Sequence, residues 1–177
     1  MYQLILVIFL IAFGNNPYET QMVWNEDYRL QWSDFKAQPE EGIDAVAITA
    51  SGLSSDFSAR TTSTRLVDYS SNVVAHFYPD KSWYKPSKVN EIVLAHEQLH
   101  FDITELNARK LRKRIAEFGF TINIKSEMNV LVEMSNKELA KMQELYDDQS
   151  NYSMNIEAQK KWQLYIRDEL NKLSNYK

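Results

Sequence analysis

The stretch LAHEQLHFDITELNARK, residues 94–110, decides how the chain is organised, because its apolar residues recur with the spacing of an α-helix. One broad stripe starts just before the stretch and runs through it, and it comprises Val89, Ile92, Val93, His96, Leu99, His100, Ile103 and Asn107. Ser87 precedes the stripe and Gly119 follows it, and both are residue types that commonly flank helix ends. The pattern predicts one long helix from about residue 88 to residue 118, with Ser87 as its N-cap.

Two of the chain's three histidines, His96 and His100, lie four residues apart in this helix, with Glu97 between them. Residues four apart face the same side of a helix, so both imidazoles can bind one Zn²⁺ ion. A glutamate beside them can take a proton from a water molecule whose pKa zinc lowers to about 7. The alternative is that two polar residues share a helix face by accident. With so few histidines, the H-E-x-x-H register arises by chance with a probability of about 1%, so the spacing predicts a zinc site with Glu97 as general base.

The segments before the helix have the patterns of β-strands, and those after it have helical patterns. Strands are predicted in AVAITASGL, STRLVDY and NVVAHFYP, which are residues 45–53, 63–69 and 72–79. The composition of DYSSNV, residues 68–73, favours a hairpin turn. Trp32 and Phe35 have a spacing that suits core anchoring, and two later helices are expected at about 127–147 and 154–173. Strands followed by helices predict an α+β fold.

The composition is that of an ordinary globular protein, and it argues against several classes of function. A length of 177 residues suits a single domain with a sizeable core. The net charge of −4 argues against nucleic-acid binding, because no basic stripe is present to neutralise phosphates. The sequence contains no cysteine, which excludes disulfides, thiol catalysis and cysteine-based zinc sites. A transition-metal site would therefore use His, Asp, Glu or Tyr.

The N-terminal segment, residues 1–14, contains an unbroken apolar run from Leu4 to Phe13. This run is too short to cross a bilayer but has the length of a signal-peptide core, and Ala12 and Gly14 suit cleavage after Gly14. No lysine or arginine precedes the run, so a buried strand or an uncleaved anchor is the alternative. The pattern predicts a signal peptide at 1–14 and one domain at 15–177 that has no membrane span and is secreted or periplasmic.

The helix and its surroundings match a pattern longer than H-E-x-x-H. The matching residues are Ser82, Trp83, His96, Glu97, Gln98, His100, Phe101, Asp102, Ile103, Glu105, Ala108 and Arg109. This pattern resembles a family of bacterial secreted proteins of unknown function that are regarded as predicted zinc-dependent proteases. Residues 31–39, 45–53 and 146–162 also resemble the family's opening and closing segments. The resemblance implies a zincin-like fold, in which a twisted antiparallel or mixed sheet packs on the active-site helix and two further helices follow.

The resemblance also implies where a third metal ligand lies. The family usually has a histidine two residues after a threonine or serine in its closing segment, and here Ser150 is followed two residues later by Tyr152. A phenol, with a pKa near 10, is a weaker zinc ligand at neutral pH than imidazole. Either Tyr152 coordinates the metal, or the carboxylate of Asp147 or Asp148 replaces it. His76, the remaining histidine, is predicted to be a boundary residue of a strand.

Asp102 and Glu105 are acidic residues of the same helix that face away from His96, by about 240° and 180°. They are therefore not expected to join the metal site. Bonding to neighbouring segments is expected instead, with Arg109 as the partner of Glu105. The alternative is that both carboxylates are simply solvated.

Three functions are consistent with the sequence. The favoured one is a secreted zinc metallopeptidase that acts on a peptide or protein substrate, with His96 and His100 as ligands and Glu97 as base. The second is a degenerate, non-catalytic zincin-like binding module of the cell envelope, which the tyrosine at position 152 suggests. The third is a structural envelope protein without metal. Zinc content distinguishes the third from the others, and peptide hydrolysis distinguishes the first two.

Overall fold

A computed structural model describes residues 20–177, which form five antiparallel strands followed by three long helices. The strands are β1 (Met22–Val23), β2 (Ala47–Ile48), β3 (Ser51–Thr61), β4 (Leu66–Phe77) and β5 (Trp83–Tyr84). The helices are α1 (Glu91–Glu117), α2 (Ile124–Ser150) and α3 (Ile156–Lys172). The predicted α+β class is confirmed, whereas the predicted signal peptide lies outside the described residues. Within residues 20–177, no helix has the length and apolar character needed to cross a membrane.

The sheet is built around β4, which pairs with β1 on one side and with β3 on the other, while β2 pairs with β5 separately. The β3–β4 pairing runs from Ser51 opposite Phe77 to Thr61 opposite Leu66. The chain reverses at residues 62–65, where the backbone N–H of Thr62 donates to the carbonyl of Arg65. The prediction of a turn at 68–73 is therefore wrong, and the strands predicted at 63–69 and 72–79 are one strand. Residues 70–72 are exposed on the outer half of this hairpin, where polar side chains are tolerated.

Helix α1 begins at Glu91 because the side chain of Asn90 accepts hydrogen bonds from the backbone N–H groups of Ile92 and Val93. The predicted cap, Ser87, lies instead in a 3₁₀ turn just before the helix. The helix ends at Glu117, close to the predicted end. Residues 96–109 are all buried, because the sheet covers one side of α1 and the other two helices cover the rest. Each polar group on this stretch that no cleft opens to solvent therefore needs a partner inside the protein.

Apolar residues pack on α1 in two clusters. The first joins α1 to the sheet and to α2, and it includes Val73, Phe77, Phe101, Leu111 and Met128. The second joins α1 to α2 and α3, and it includes Leu99, Ile103, Leu106, Tyr146 and Ile166. The clusters fix α2 beside α1, and this contact positions the candidate site.

The segment around β5 packs against residues that the sequence analysis singled out. Phe35 is buried in the first cluster, and the ring of Trp32 stacks on Tyr84 with 4.7 Å between centroids, so the predicted core anchoring is confirmed. The hydroxyl of Ser82 accepts a hydrogen bond from the N–H of Ala50 and donates to the carbonyl of Tyr78. These contacts join β5 to the segment between β2 and β3, which forms one wall of the candidate site.

Candidate metal centre

Three buried donor atoms meet where α1 and α2 pack together. The Nε2 atoms of His96 and His100 lie 3.1 Å apart, and each lies 3.0 Å from Oδ1 of Asp147. The histidines are one turn apart on α1, and Asp147 comes from the last turn of α2, 51 positions beyond His96. Among the described residues, these three form a group whose ligand atoms are close enough to share one metal ion.

The spacing of the donor atoms fits a small transition-metal ion. In a tetrahedral zinc site with bonds of about 2.0–2.1 Å, neighbouring donors lie about 3.3 Å apart. The observed separations of 3.0–3.1 Å are close to this value. Two imidazoles and one carboxylate are also the donor types that zinc takes in catalytic sites, which keep a fourth position open. Calcium and magnesium prefer six or more oxygen donors, so this set does not suit them.

Gln143 holds His100 in the orientation that metal binding needs. The Nδ1 atom of His100 lies 2.5 Å from Oε1 of Gln143, and the side-chain N–H of Gln143 donates to the carbonyl of His100 at 2.9 Å. Because an amide oxygen can only accept, Nδ1 carries the proton and donates it. The Nε2 atom therefore faces Asp147, as expected for a histidine ligand supported by a second residue. The sequence interpretation missed Gln143, although its position four residues before Asp147 places it on the same helix face.

Tyr146 closes the buried side of the three donors. Its ring stacks on His96 with 4.5 Å between centroids and meets the edge of His100 at 5.1 Å. Burial, together with the nearby charges of Glu97 and Asp147, raises the pKa of Tyr146, so its hydroxyl stays neutral. The ring belongs to the second apolar cluster, so the packing of that cluster limits the movement of both imidazoles.

His100 and Asp147 form an oppositely charged pair at neutral pH. Burial is the largest single influence and lowers the pKa of His100, but the charges of Asp147 and Glu97 and the hydrogen bonds to Asp147 and Gln143 together raise it to about 9. Burial also opposes ionisation of Asp147, yet the His100 charge holds the pKa of this carboxyl below its usual range. A metal ion that binds here must therefore displace a proton from His100.

Glu97 is one of three buried acidic residues of α1, and its contacts differ from those of the other two. Asp102 accepts hydrogen bonds from the side chains of Trp24, Arg29 and Gln98. Glu105 accepts hydrogen bonds from Arg109 and Arg112. The expected bonding of both carboxylates to other groups is therefore confirmed. The side chain of Glu97 makes no hydrogen bond or ion pair within residues 20–177, although it is buried. Its position beside the three donor atoms makes this carboxylate a candidate general base.

The centre opens into a cleft of about 840 Å³, and His96, Glu97, His100 and Asp147 all line it. One wall is formed by residues 44–51, and the other by the first turn of α1 and the connection between α2 and α3. The donor atoms and the free carboxylate are therefore accessible from solvent through this cleft.

Tyr152 lies on the wall of the same cleft but makes no hydrogen bond with either histidine in the described part of the chain. Its backbone N–H donates to the carbonyl of Asp147, and residues 151–153 all have positive φ, at 45°, 52° and 70°. The structure thus brings Asp147, the alternative weighed in the sequence, to the histidines, while Tyr152 helps to end α2. Asp148 is exposed, and His76 on β4 forms a hydrogen bond with the hydroxyl of Ser54 on β3, outside the group.

Comparisons with known proteins identify a family but no function. A family model described as a bacterial protein of unknown function, DUF922, matches residues 34–155, which include the two histidines, Glu97 and Asp147. No curated protein and no solved structure matches the chain. The resemblance to a bacterial family of unknown function is thereby confirmed, and the chain belongs to the DUF922 family.

Proposed function

We propose that the protein is a zinc-dependent hydrolase with a zincin-like arrangement, and that its substrates are peptides. In this proposal His96, His100 and Asp147 hold the metal, and Glu97 is the general base. The observation that carries the proposal is the meeting of three donor atoms within 3.1 Å of one another beside an unpaired buried carboxylate, at the floor of an open cleft.

The roles of the residues follow from their positions. When bound, zinc supplies Lewis-acid chemistry, because it lowers the pKa of a water molecule and polarises a carbonyl group. Glu97 accepts the proton of the attacking water and can return it to the leaving amine. Gln143 keeps Nε2 of His100 directed at the centre, and Tyr146 keeps both rings in place. The cleft has the size of a typical ligand site, about 300–1,000 Å³.

Asp147 favours the enzyme over a non-catalytic binding module. The reason to consider a degenerate site was the weak ligand expected at Tyr152. A carboxylate is ionised at neutral pH and needs no proton displaced before it binds a metal. We therefore propose Asp147 as the third ligand in place of Tyr152. Export to the periplasm or the medium stays a prediction from the N-terminal sequence.

The experiment compares Glu97→Gln with the wild type and with Glu91→Gln. Glu91 is an exposed glutamate in the first turn of the same helix and does not line the cleft. Glu97→Gln should keep one zinc per chain and lose hydrolysis of a quenched-fluorescence peptide library by at least about 100-fold. Glu91→Gln should keep both properties. Hydrolysis by Glu97→Gln at the wild-type rate would contradict the proposed role of Glu97.

A further inference from the structure

We infer that the cleft selects peptide segments that carry a bulky apolar side chain beside uncharged or basic residues, and that it rejects acidic segments. This inference rests on the proposed function, because it names the substrate class of the same site. Two independent features of the cleft support it: exposed apolar side chains at its mouth and an excess of carboxylates along its walls.

Three large apolar side chains at the mouth of the cleft are exposed to water. Ile92 is 37% exposed, Met154 is 65% exposed and Ile156 is 43% exposed, and all three line the cleft. Val46 and Ile48 line it as well and are half-buried. A ligand that covers exposed apolar surface around a concave site is bound more tightly, because that surface is removed from water. An apolar side chain of the substrate would therefore be favoured at this mouth.

The connection that carries Met154 is built in a strained conformation. Residues 151–153 all have positive φ, which is unusual for tyrosine and serine. The turn is fixed by hydrogen bonds from the N–H of Met154 to the carbonyl of Asn151 and from the N–H of Asn155 to the carbonyl of Ser150. Strain of this kind is retained where the surrounding structure imposes it, and such sites are often functional. Here it fixes the position of Met154 beside the metal centre.

The walls of the cleft carry more negative than positive charge. The lining includes three exposed acidic residues, Glu40, Asp44 and Asp80, in addition to the two carboxylates of the centre, Glu97 and Asp147. Its lysines are Lys81 and Lys88. Within residues 20–177, none of the three exposed carboxylates forms an ion pair. A bound divalent ion would reduce this excess without reversing it. Charge complementarity therefore favours basic residues next to the apolar side chain and disfavours acidic ones.

Peptide binding to zinc-loaded Glu97→Gln tests this inference separately from catalysis. The probes are fluorescein-labelled decapeptides of Gly and Ser with a central Leu-Phe pair flanked by Lys, by Ser or by Glu, and one Lys-flanked peptide without the apolar pair. Fluorescence polarisation should show that the Lys-flanked apolar peptide binds at least tenfold more tightly than the Glu-flanked one. It should also bind at least tenfold more tightly than the peptide without Leu-Phe.

Two further variants locate the selectivity in the cleft. Met154→Glu should weaken binding of the apolar peptides at least tenfold at unchanged zinc content. Val130→Glu, at a residue that is 55% exposed on α2 and outside the cleft, should leave binding unchanged. Asp44→Lys should reduce the preference for Lys-flanked peptides, whereas Asp56→Lys on the exposed hairpin should not.

The outcomes for the inference and for the proposed function are separable. Equal binding of all four peptides, or equal effects of Met154→Glu and Val130→Glu, would overturn the inferred selectivity, even if the wild type cleaves peptides. Selective binding without cleavage by the zinc-loaded wild type would support the selectivity and contradict the proposed hydrolase.

Discussion

Replacing Gln143 with leucine tests whether a residue that touches no metal sets the affinity of the centre. In the structure its amide oxygen accepts from Nδ1 of His100 at 2.5 Å, and its amide N–H donates to the backbone carbonyl of the same residue at 2.9 Å. Leucine fills a similar volume but can do neither. Nδ1 then loses its acceptor in a buried position, and the imidazole is free to change tautomer or rotate.

The expected effect is a loss of zinc affinity of about 10–100-fold, which is about 1.4–2.7 kcal/mol. The free energy of unfolding of the metal-free protein should also fall by about 1–3 kcal/mol, because a buried donor is left without a partner. The loss of stability alone does not identify the role of Gln143, since many buried glutamines would show it. The loss of zinc affinity does identify this role.

Gln159→Leu provides the matched control. Gln159 is also a buried glutamine, on α3, but its side-chain N–H donates to the backbone carbonyl of Ile92 and not to an imidazole. Competition with a chromogenic chelator measures zinc affinity, and urea denaturation measures stability. Gln159→Leu should be destabilised and should keep wild-type affinity. Equal zinc affinity in the wild type and Gln143→Leu, or equal losses in both variants, would refute the reasoning.

Three other perturbations address the ligands and the strained turn. In the same chelator assay, Asp147→Asn should weaken zinc binding at least tenfold and Tyr152→Phe should leave it unchanged; the reverse result would place the third ligand at Tyr152. Although burial lowers the pKa of His100, the combined charges and hydrogen bonds of its neighbours, Asp147 foremost, raise it to about 9. Zinc affinity should therefore rise about tenfold per pH unit between pH 7 and pH 8.5, as one proton is displaced; calorimetry that detects no proton release at pH 7 would contradict this. Ser153→Gly should raise the free energy of unfolding by about 0.5–1 kcal/mol, because φ at this position is 70° and glycine adopts that conformation without strain. Urea denaturation measures this change. A loss of stability would show that the serine side chain contributes more than the backbone strain costs.

The helices could be predicted from the sequence because their signals are local. The apolar stripe of α1 repeats every three to four residues, and the prediction of 88–118 differs from Glu91–Glu117 by three residues at the start and one at the end. The two later helices were also expected. The H-E-x-x-H spacing placed both histidines on one face of α1 with Glu97 beside them, and the structure shows all three lining one cleft.

The hairpin and the third donor could not be predicted, because both depend on distant parts of the chain. Residues 68–73 have the composition of a turn, but pairing with β3 extends them as a strand. Asp147, Asp148 and Tyr152 are near one another in sequence, and their chemistry alone does not distinguish them. The packing of α2 on α1 turns Asp147 inward and leaves Asp148 exposed, and the left-handed turn that follows places Tyr152 on the cleft wall.

The metal content of the purified protein tests the central claim most directly. After dialysis against buffer with trace zinc, inductively coupled plasma mass spectrometry should find one zinc per chain in the wild type and in His76→Ala, whose imidazole lies outside the three-donor group. His100→Ala should contain less than a tenth of that amount, because it lacks one of the three donors. A wild type without zinc, or a His100→Ala variant with as much zinc as the wild type, would contradict the assignment of His96, His100 and Asp147 as a metal centre.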